Sequence, residues 1–370
     1  MLKDRPQSDI AEITLIGTGG GYGESIIIHL GDSNWAVIDS CRDPFSRKSL
    51  PLAYLEQLGV DVANDVKLIL CTHWHDDHLL GLSELLKACE SAVFCWGEAT
   101  DRTKFLQFVE LDHQKLNKES SNSSTLEFGN CLRIISDRSG GSNRKLAKAD
   151  TIIFGKNLFN SIRCEIIALS PSDQSILNFH KEISTLIDNY GAQNKKIMKA
   201  TPNSKSIALF LKLGEHRAIL GADLEVSKDP LEGWDNILNC NTVIDKKASL
   251  FKIPHHGSSN GYSDRVWIEL LETDPVAKLT PWNKNEKLPE LDMLKRYCSH
   301  SSFIFMTSPV FSPYKPKKRD RSIEKILEML NCKLSEVNYN QGIIRCRIPL
   351  NSKRSIWCTE LFENALHIHT

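Results

Sequence analysis

A chain of 370 residues with 41% hydrophobic content is long enough to bury a substantial core, as one large unit or as two domains. Lys+Arg and Asp+Glu stand at 46 each, so net charge gives no global pull toward nucleic acid or a membrane surface. The 11 cysteines are scattered with no Cys-x-x-Cys pair, the start MLKDRPQSDIAEITLIG has no apolar leader, and no apolar run approaches a membrane span. The thiols therefore read as reduced, packed side chains of a cytoplasmic protein.

The first 40 residues have the grammar of short strands. EITLIG (12–17) and SIIIHL (25–30) are joined by the glycine-rich GTGGGYGES, and GDSN (31–34) is a hairpin turn into WAVIDS (35–40). Leu52, Leu55 and Leu58 have helical spacing and Gly59 stops it, which predicts a helix over 49–60. VKLILCTH (66–73) is expected to be a buried strand, its apolar run too short for a helix, and HLLGLSELLKACE (78–90) opens a helix. Residues 98–165 read as a loop-rich insertion, with polar surface excursions at 117–130 and 136–150. Strands return at IRCEIIALS (162–170), a polar helix-like segment follows, and SKSIALFLKLGEHRAILGADLE (204–225) forms a hairpin. No internal repeat is visible. Residues 1–310 are taken as the main domain and 311–370 as a C-terminal extension: basic FSPYKPKKRDR, helix SIEKILEMLN (322–331), then strand-like GIIRCRIPL and SIWCTELF. That tail is either an added layer or the last strands of the main domain.

CTHWHDDHLLGL (71–82) sets three histidines and two aspartates into positions 73–78, where a buried strand ends and a helix begins. Reacting groups commonly gather at such strand ends. His73 and His75 are two apart and point the same way in extended backbone, which suits two imidazoles on one metal ion. Asp77 and His78 turn the other way, toward a second ion. Zinc, manganese and iron all accept such a mixed nitrogen and oxygen set. Six residues cannot complete two coordination spheres. Asp223, ending the apolar strand of AILGADLEV, is placed to bridge two ions, and His255 and His256 follow another apolar strand in LFKIPHHGSSNGY. His29, His113, His180, His216, His300, His367 and His369 read as ordinary histidines.

THWHDDH resembles the HxHxDH signature of the metallo-β-lactamase-fold hydrolases. The order of IGTGGGYGESIIIHL, WAVIDS, YLEQLGVDV, LILCTHWHDDHLLGL, SIALFL, ILGADLE and IPHHGSSNG is similar to the ComEC-like branch over about residues 12–310. The resemblance implies a four-layer αββα sandwich of two mixed sheets, with metals at one edge. It implies His73 and His75 on the first ion, Asp77 and His78 on the second, Asp223 between them, and one or both of His255 and His256 completing the second site. The leaning is toward His256, with His255 facing substrate. Asp39 would support the ligands from behind. Many members carry a further histidine before the bridging aspartate, but IIALSPSDQS offers Ser170 and Asp173 instead. The first ion is then weakly held, or completed by water, Asp173 or Asn203, with His180 an outside candidate.

The implied reaction is hydrolysis by a hydroxide shared between two Zn or Mn ions. Asp77 takes part at the metals, His255 or Lys205 steadies charge developing on the substrate, and Ser258 and Ser259 offer hydrogen bonds. The branch points to phosphodiesters, DNA or RNA foremost, and the basic stretches 144–148 and 315–321 suit a phosphate backbone. Alternatives are a cyclic-nucleotide or phosphocholine-ester hydrolase, or a metal-stabilised scaffold docking a protein partner through 311–370. No membrane role is expected.

Overall fold

The computed structural model describes residues 4–21, 23–97, 124–138, 143–158, 161–188, 203–284, 287–310, 320–330 and 339–369. In chain order its strands are β1 (Ile10–Gly17), β2 (Glu24–His29), β3 (Trp35–Ile38), β4 (Val66–Leu70), β5 (Val93–Gly97), β6 (Arg144–Ala147), β7 (Thr151–Asn157), β8 (Arg163–Ala168) and β9 (Leu209–Leu213). There follow β10 (His216–Leu220), β11 (Ala248–Lys252), β12 (Leu271–Leu279), β13 (Trp282–Asn283), β14 (Lys287–Leu288), β15 (Ile304–Met306), β16 (Gly342–Pro349), β17 (Cys358–Glu363) and β18 (Leu366–Ile368). The helices are α1 (Leu50–Gln57), α2 (Val62–Asp65), α3 (Asp76–Leu79), α4 (Leu82–Ala88), α5 (Ser124–Asp137), α6 (Asp173–Asp188), α7 (Gly233–Cys240), α8 (Leu291–His300) and α9 (Arg321–Met329).

The strands build two eight-stranded mixed sheets, in the orders β17-β16-β1-β2-β3-β4-β5-β6 and β18-β15-β12-β11-β10-β9-β8-β7. In each, antiparallel strands hand over to a parallel run: β3 to β6 in one, and β10, β11, β12 and β15 in the other. The strands read as nearly unbroken apolar runs because both faces of each sheet are covered. Period-two alternation then sorts their side chains. Ile26, Ile28, Ala36 and Ile38 face Ile166, Leu209, Leu211, Leu220 and Leu250 across the sandwich. Ile27, Trp35, Val37 and Ile69 point outward onto Leu52 and Leu55 of α1, Leu85 and Leu86 of α4, and Phe128 of α5. Ile167, Phe210, Ile219 and Phe251 point the other way, onto Trp234 of α7 and Met293 and Tyr297 of α8. The layering is αββα, as expected, and each fully buried branched or aromatic side chain contributes about 1.5–3 kcal/mol.

The helix expected over 78–90 is two helices. Gly81, at φ +90°, breaks it between α3 and α4. The expected surface loop at 117–130 also needs correction, since α5 occupies 124–137. Phe128, Cys131 and Ile135 recur every three or four positions and bury one face on the first sheet, with Leu132 and Ile134 partly buried beside them. Residues 98–123 and most of the basic run 315–321 lie outside the described residues. In the tail, β16 pairs with β1 along its whole length and β18 pairs with β15, so 342–368 supplies strands to both sheets. Among the described residues no helix is long and apolar enough to cross a membrane.

Candidate metal centre

The site lies where parallel strands of both sheets end. The chain leaves β4 at Leu70, crosses Thr72, His73 and His75, and enters α3, which carries Asp77 and His78. From the other sheet, β10 ends just before Asp223 and β11 just before His256. Four groups, Asp77, His78, Asp223 and His256, are buried with ligand atoms all within 4.8 Å of one another, and a second set within that spacing comprises His73, His75 and Asp223. Asp223 belongs to both. Its Oδ2 lies 3.8 Å from His73 Nε2 and 3.7 Å from His256 Nε2, and its Oδ1 lies 3.4 Å from His78 Nε2. Asp77 Oδ2 lies 3.2 Å from His256 Nε2 and 3.6 Å from His78 Nε2. His73 Nε2 and His75 Nδ1 are 3.1 Å apart.

Backbone geometry aims these groups. His255, His256 and Gly257 take φ of +47°, +53° and +75° in succession, a left-handed run that β-carbon-bearing residues seldom adopt. It turns the two histidines apart. His256 faces Asp77 and Asp223 and packs on Trp282 at 5.2 Å between ring centres. His255 contacts Asn203, Asn260 and Glu225 instead, at 3.0, 2.9 and 3.2 Å, and is in neither ligand set. Gly23 makes room for α3. A β-carbon there would stand 2.4 Å from the carbonyl oxygen of Asp77 and 2.7 Å from Cys41 Cβ.

Three of the four imidazoles in the two sets are held from behind. His78 Nδ1 donates to Asp39 Oδ2 at 2.8 Å, and His256 Nδ1 donates to the carbonyl of Thr280 at 3.0 Å. Asp39 also accepts from Thr72 N and Oγ1, at 2.7 and 2.6 Å. Thr72 Oγ1, its proton thus committed, accepts from His73 Nδ1 at 3.0 Å. The bonds on Nδ1 leave Nε2 of all three rings for the cluster. Burial pushes the His73 imidazolium well below its ordinary range, and the neighbouring His78 adds to that. Burial works against charge on His78 too, but Asp223, Asp77 and Asp39 outweigh it and hold its pKa well above the ordinary value. His256 is raised likewise, chiefly by Asp223, against burial. Asp223 and Asp77 are pulled below the usual carboxylate range by His78 and His256, despite burial.

The donor chemistry fits a divalent cation. His78 Nε2 and Asp223 Oδ1 are buried, 3.4 Å apart, and without hydrogen-bond partners. Buried polar atoms are rarely left so, and two imidazoles with two carboxylates around one point form a mixed oxygen and nitrogen set that zinc or manganese accepts.

The other expected residues go elsewhere. Lys205 pairs with Glu182 at 2.8 Å and lies 5.6 Å from the Phe179 ring centre. Asp173 sits 87% exposed, 3.9 Å from Lys148 Nζ. Ser170 Oγ donates to the carbonyl of Ser206 and accepts from Ala208 N, bracing the end of β8 rather than a ligand. His180 lies on α6, outside both ligand sets. Sequence reasoning passed over Thr72, Thr280, Glu225, Glu24 and Lys252. A charged residue inside or beside an apolar strand run, as in ESIIIHL and SLFKIP, is the signal that points to the last two.

The run that carries Glu24, Asp39 and positions 73–78 also has a recognisable pattern. Residues 18–95 match the metallo-beta-lactamase superfamily. The two large mixed sheets agree with the metallo-β-lactamase fold. Solved structures similar to this chain include the metallo-beta-lactamase fold protein YhfI from Bacillus subtilis, at 12% identity over 66% of this chain and 70% of that one, with a TM-score of 0.32. Metallo-beta-lactamase SMB-1 bound to 2-mercaptoethanesulfonate aligns at 13% identity over 72% of this chain and 87% of its own, TM-score 0.35. A metallo-beta-lactamase mutant from Cronobacter sakazakii aligns at 14% identity over 65% and 75%, TM-score 0.33. No curated protein matches.

Proposed function

We propose that this chain is a metal-dependent hydrolase of phosphodiesters, with DNA or RNA as its substrate class. The observation that carries the reading is the convergence of two ligand sets, each drawn from both sheets, on the shared carboxylate of Asp223. Asp77, His78, Asp223 and His256 would hold one cation, and His73, His75 and Asp223 a second. Divalent cations so placed lower the pKa of a coordinated water and neutralise charge on a phosphoryl oxygen, and a close pair suits in-line displacement at phosphorus.

The protein groups divide the remaining work. His73, His75 and Asp223 number three, which leaves room on that side for a substrate oxygen. Asp39 and Thr280 hold the protons of His78 and His256 on Nδ1, so both rings offer lone pairs to the cluster. His255, 18% exposed at the rim, has the Glu225 carboxylate 3.2 Å and Asn260 Oδ1 2.9 Å from its Nδ1. It is the group that would contact the substrate's leaving side. Lys205 is paired with Glu182 at 2.8 Å.

The test incubates purified chain with Mn or Zn and linear DNA, single-stranded DNA, RNA, cyclic nucleotides and bis-p-nitrophenyl phosphate. Cleavage of a nucleic acid that Asp77→Ala/His78→Ala abolishes is the expected result. Metal-loaded protein that cleaves none of the panel would refute the reading, and cleavage confined to cyclic nucleotides would refute its substrate class.

A further inference from the structure

The neighbourhood of Asp223 holds a charged pair that no ligand set uses. Glu24 opens β2 in the first sheet and Lys252 closes β11 in the second, and they form an ion pair across the sandwich with side-chain exposures of 2% and 0%. Lys252 Nζ also donates to the carbonyl of Ala222 at 3.0 Å. The same carbonyl accepts from His255 N at 3.0 Å, and Ala222 itself has φ +44°. Lys252 therefore fastens the turn that delivers Asp223 to the turn that delivers His256. Its ammonium lies 3.9 Å from Asp223 Oδ1, the oxygen without a hydrogen-bond partner.

That placement has a cost in sign. A buried ammonium beside the carboxylate shared by both ligand sets repels any cation bound there, and in a low-dielectric interior water does little to screen it. We propose that Glu24 is a positioning residue for the metal centre: it neutralises Lys252, so that the lysine can brace the Ala222–Asp223 turn without driving cations off Asp223. The inference rests on the metal reading above.

The role is electrostatic, so a charge cycle on the full chain tests it. Zinc affinity is measured by competition with a chromophoric chelator, and thermal melting is followed alongside. Glu24→Gln strands a lone positive charge and is expected to weaken zinc binding about tenfold or more. Lys252→Met removes that charge, and is expected to lower the melting temperature but keep affinity within about threefold of wild type. Glu24→Gln/Lys252→Met is expected to bind more tightly than Glu24→Gln alone. A merely structural pair would make Lys252→Met as damaging as Glu24→Gln and the double variant no better, and that pattern overturns the proposal. Should Glu24→Gln not fold, Lys252→Met decides alone: retained affinity supports the role and a tenfold loss overturns it. A wild-type chain that binds no zinc would refute the metal reading itself. Equal binding by wild type and Glu24→Gln would refute this inference and leave that reading standing.

Discussion

Asp39 lies outside both ligand sets and acts through others. At φ +59° it turns its carboxylate under His78 and Thr72, and Thr72 in turn fixes His73. One side chain thus orients a ligand of each set. Asp39→Asn is expected to lower zinc affinity by about 10–100-fold with little change in fold, read by chelator competition and circular dichroism. The adjacent histidines separate more sharply. His256→Ala removes a group 3.2 Å from Asp77 and is expected to lose the metal of that set, counted by elemental analysis. His255→Ala is expected to keep both metals and lose turnover. Equal metal loss in the two variants would show that His255 is a ligand after all. Four of the six residues in the two sets are legible in the run 73–78, because residue spacing and ligand chemistry agree there. The choice between His255 and His256 is not legible in the same way. It depends on two consecutive left-handed residues, and no side-chain pattern reports those. Lys205 and Asp173 each lie close in sequence to a strand end, and each has a countercharge nearby that no sequence pattern reports, Glu182 for one and Lys148 for the other.

The elements hold this geometry through a few close approaches. Gly23, at φ +137°, lets the loop before β2 pass against α3, where a β-carbon would overlap the Asp77 carbonyl. Gly23→Ala is expected to destabilise the chain by about 1–3 kcal/mol and to weaken metal binding, because relief must come from moving α3 and Asp77 with it. An unchanged melting temperature in that variant would mean the loop is free to shift. β1 to β4 and β8 to β11 are readable because their apolar runs are short, bounded by turn residues and rich in branched side chains, whereas β6 and β7 lie in the stretch that reads as loop-rich. α5 is not readable either. The polar lead-in NKESSNSS reads as loop and runs straight into it, and its place is set by what it covers, with Glu127 accepting from Gly81 N, Ser83 N and Ser83 Oγ. The tail's destination is equally closed to sequence. β16 is a good strand by composition, but only the exposed edge of β1 decides where it pairs.

Across the whole molecule the site joins the two sheets, since His73, His75, Asp77 and His78 hang from one and Asp223 and His256 from the other. Metal binding is therefore coupled to stability, and the titrating groups set the sign of its pH dependence. Without metal, protons on His78 and His256 balance Asp77 and Asp223, and both imidazoles sit above their ordinary value of 6.5. A raised histidine contributes stability fully below its unfolded value, and that contribution fades as pH climbs through the folded one. Asp77 and Asp223 are depressed, so their contribution is present above the ordinary carboxylate range and is lost only in acid. Chelated protein is thus expected to lose stability as pH rises above about 6.5. A cation needs the Nε2 lone pairs that those protons occupy, so its affinity rises over the same interval and protons are released on binding. At free metal about 100 times Kd the gain is about 2.7 kcal/mol. Melting curves with zinc and with chelator, taken between about pH 6 and pH 8.5, are therefore expected to diverge steadily, the loaded form holding while the chelated form falls. A gap of constant width would mean that the imidazoles bear no proton in the metal-free protein. A gap that narrows with pH would show that the cation is not held by His78 and His256.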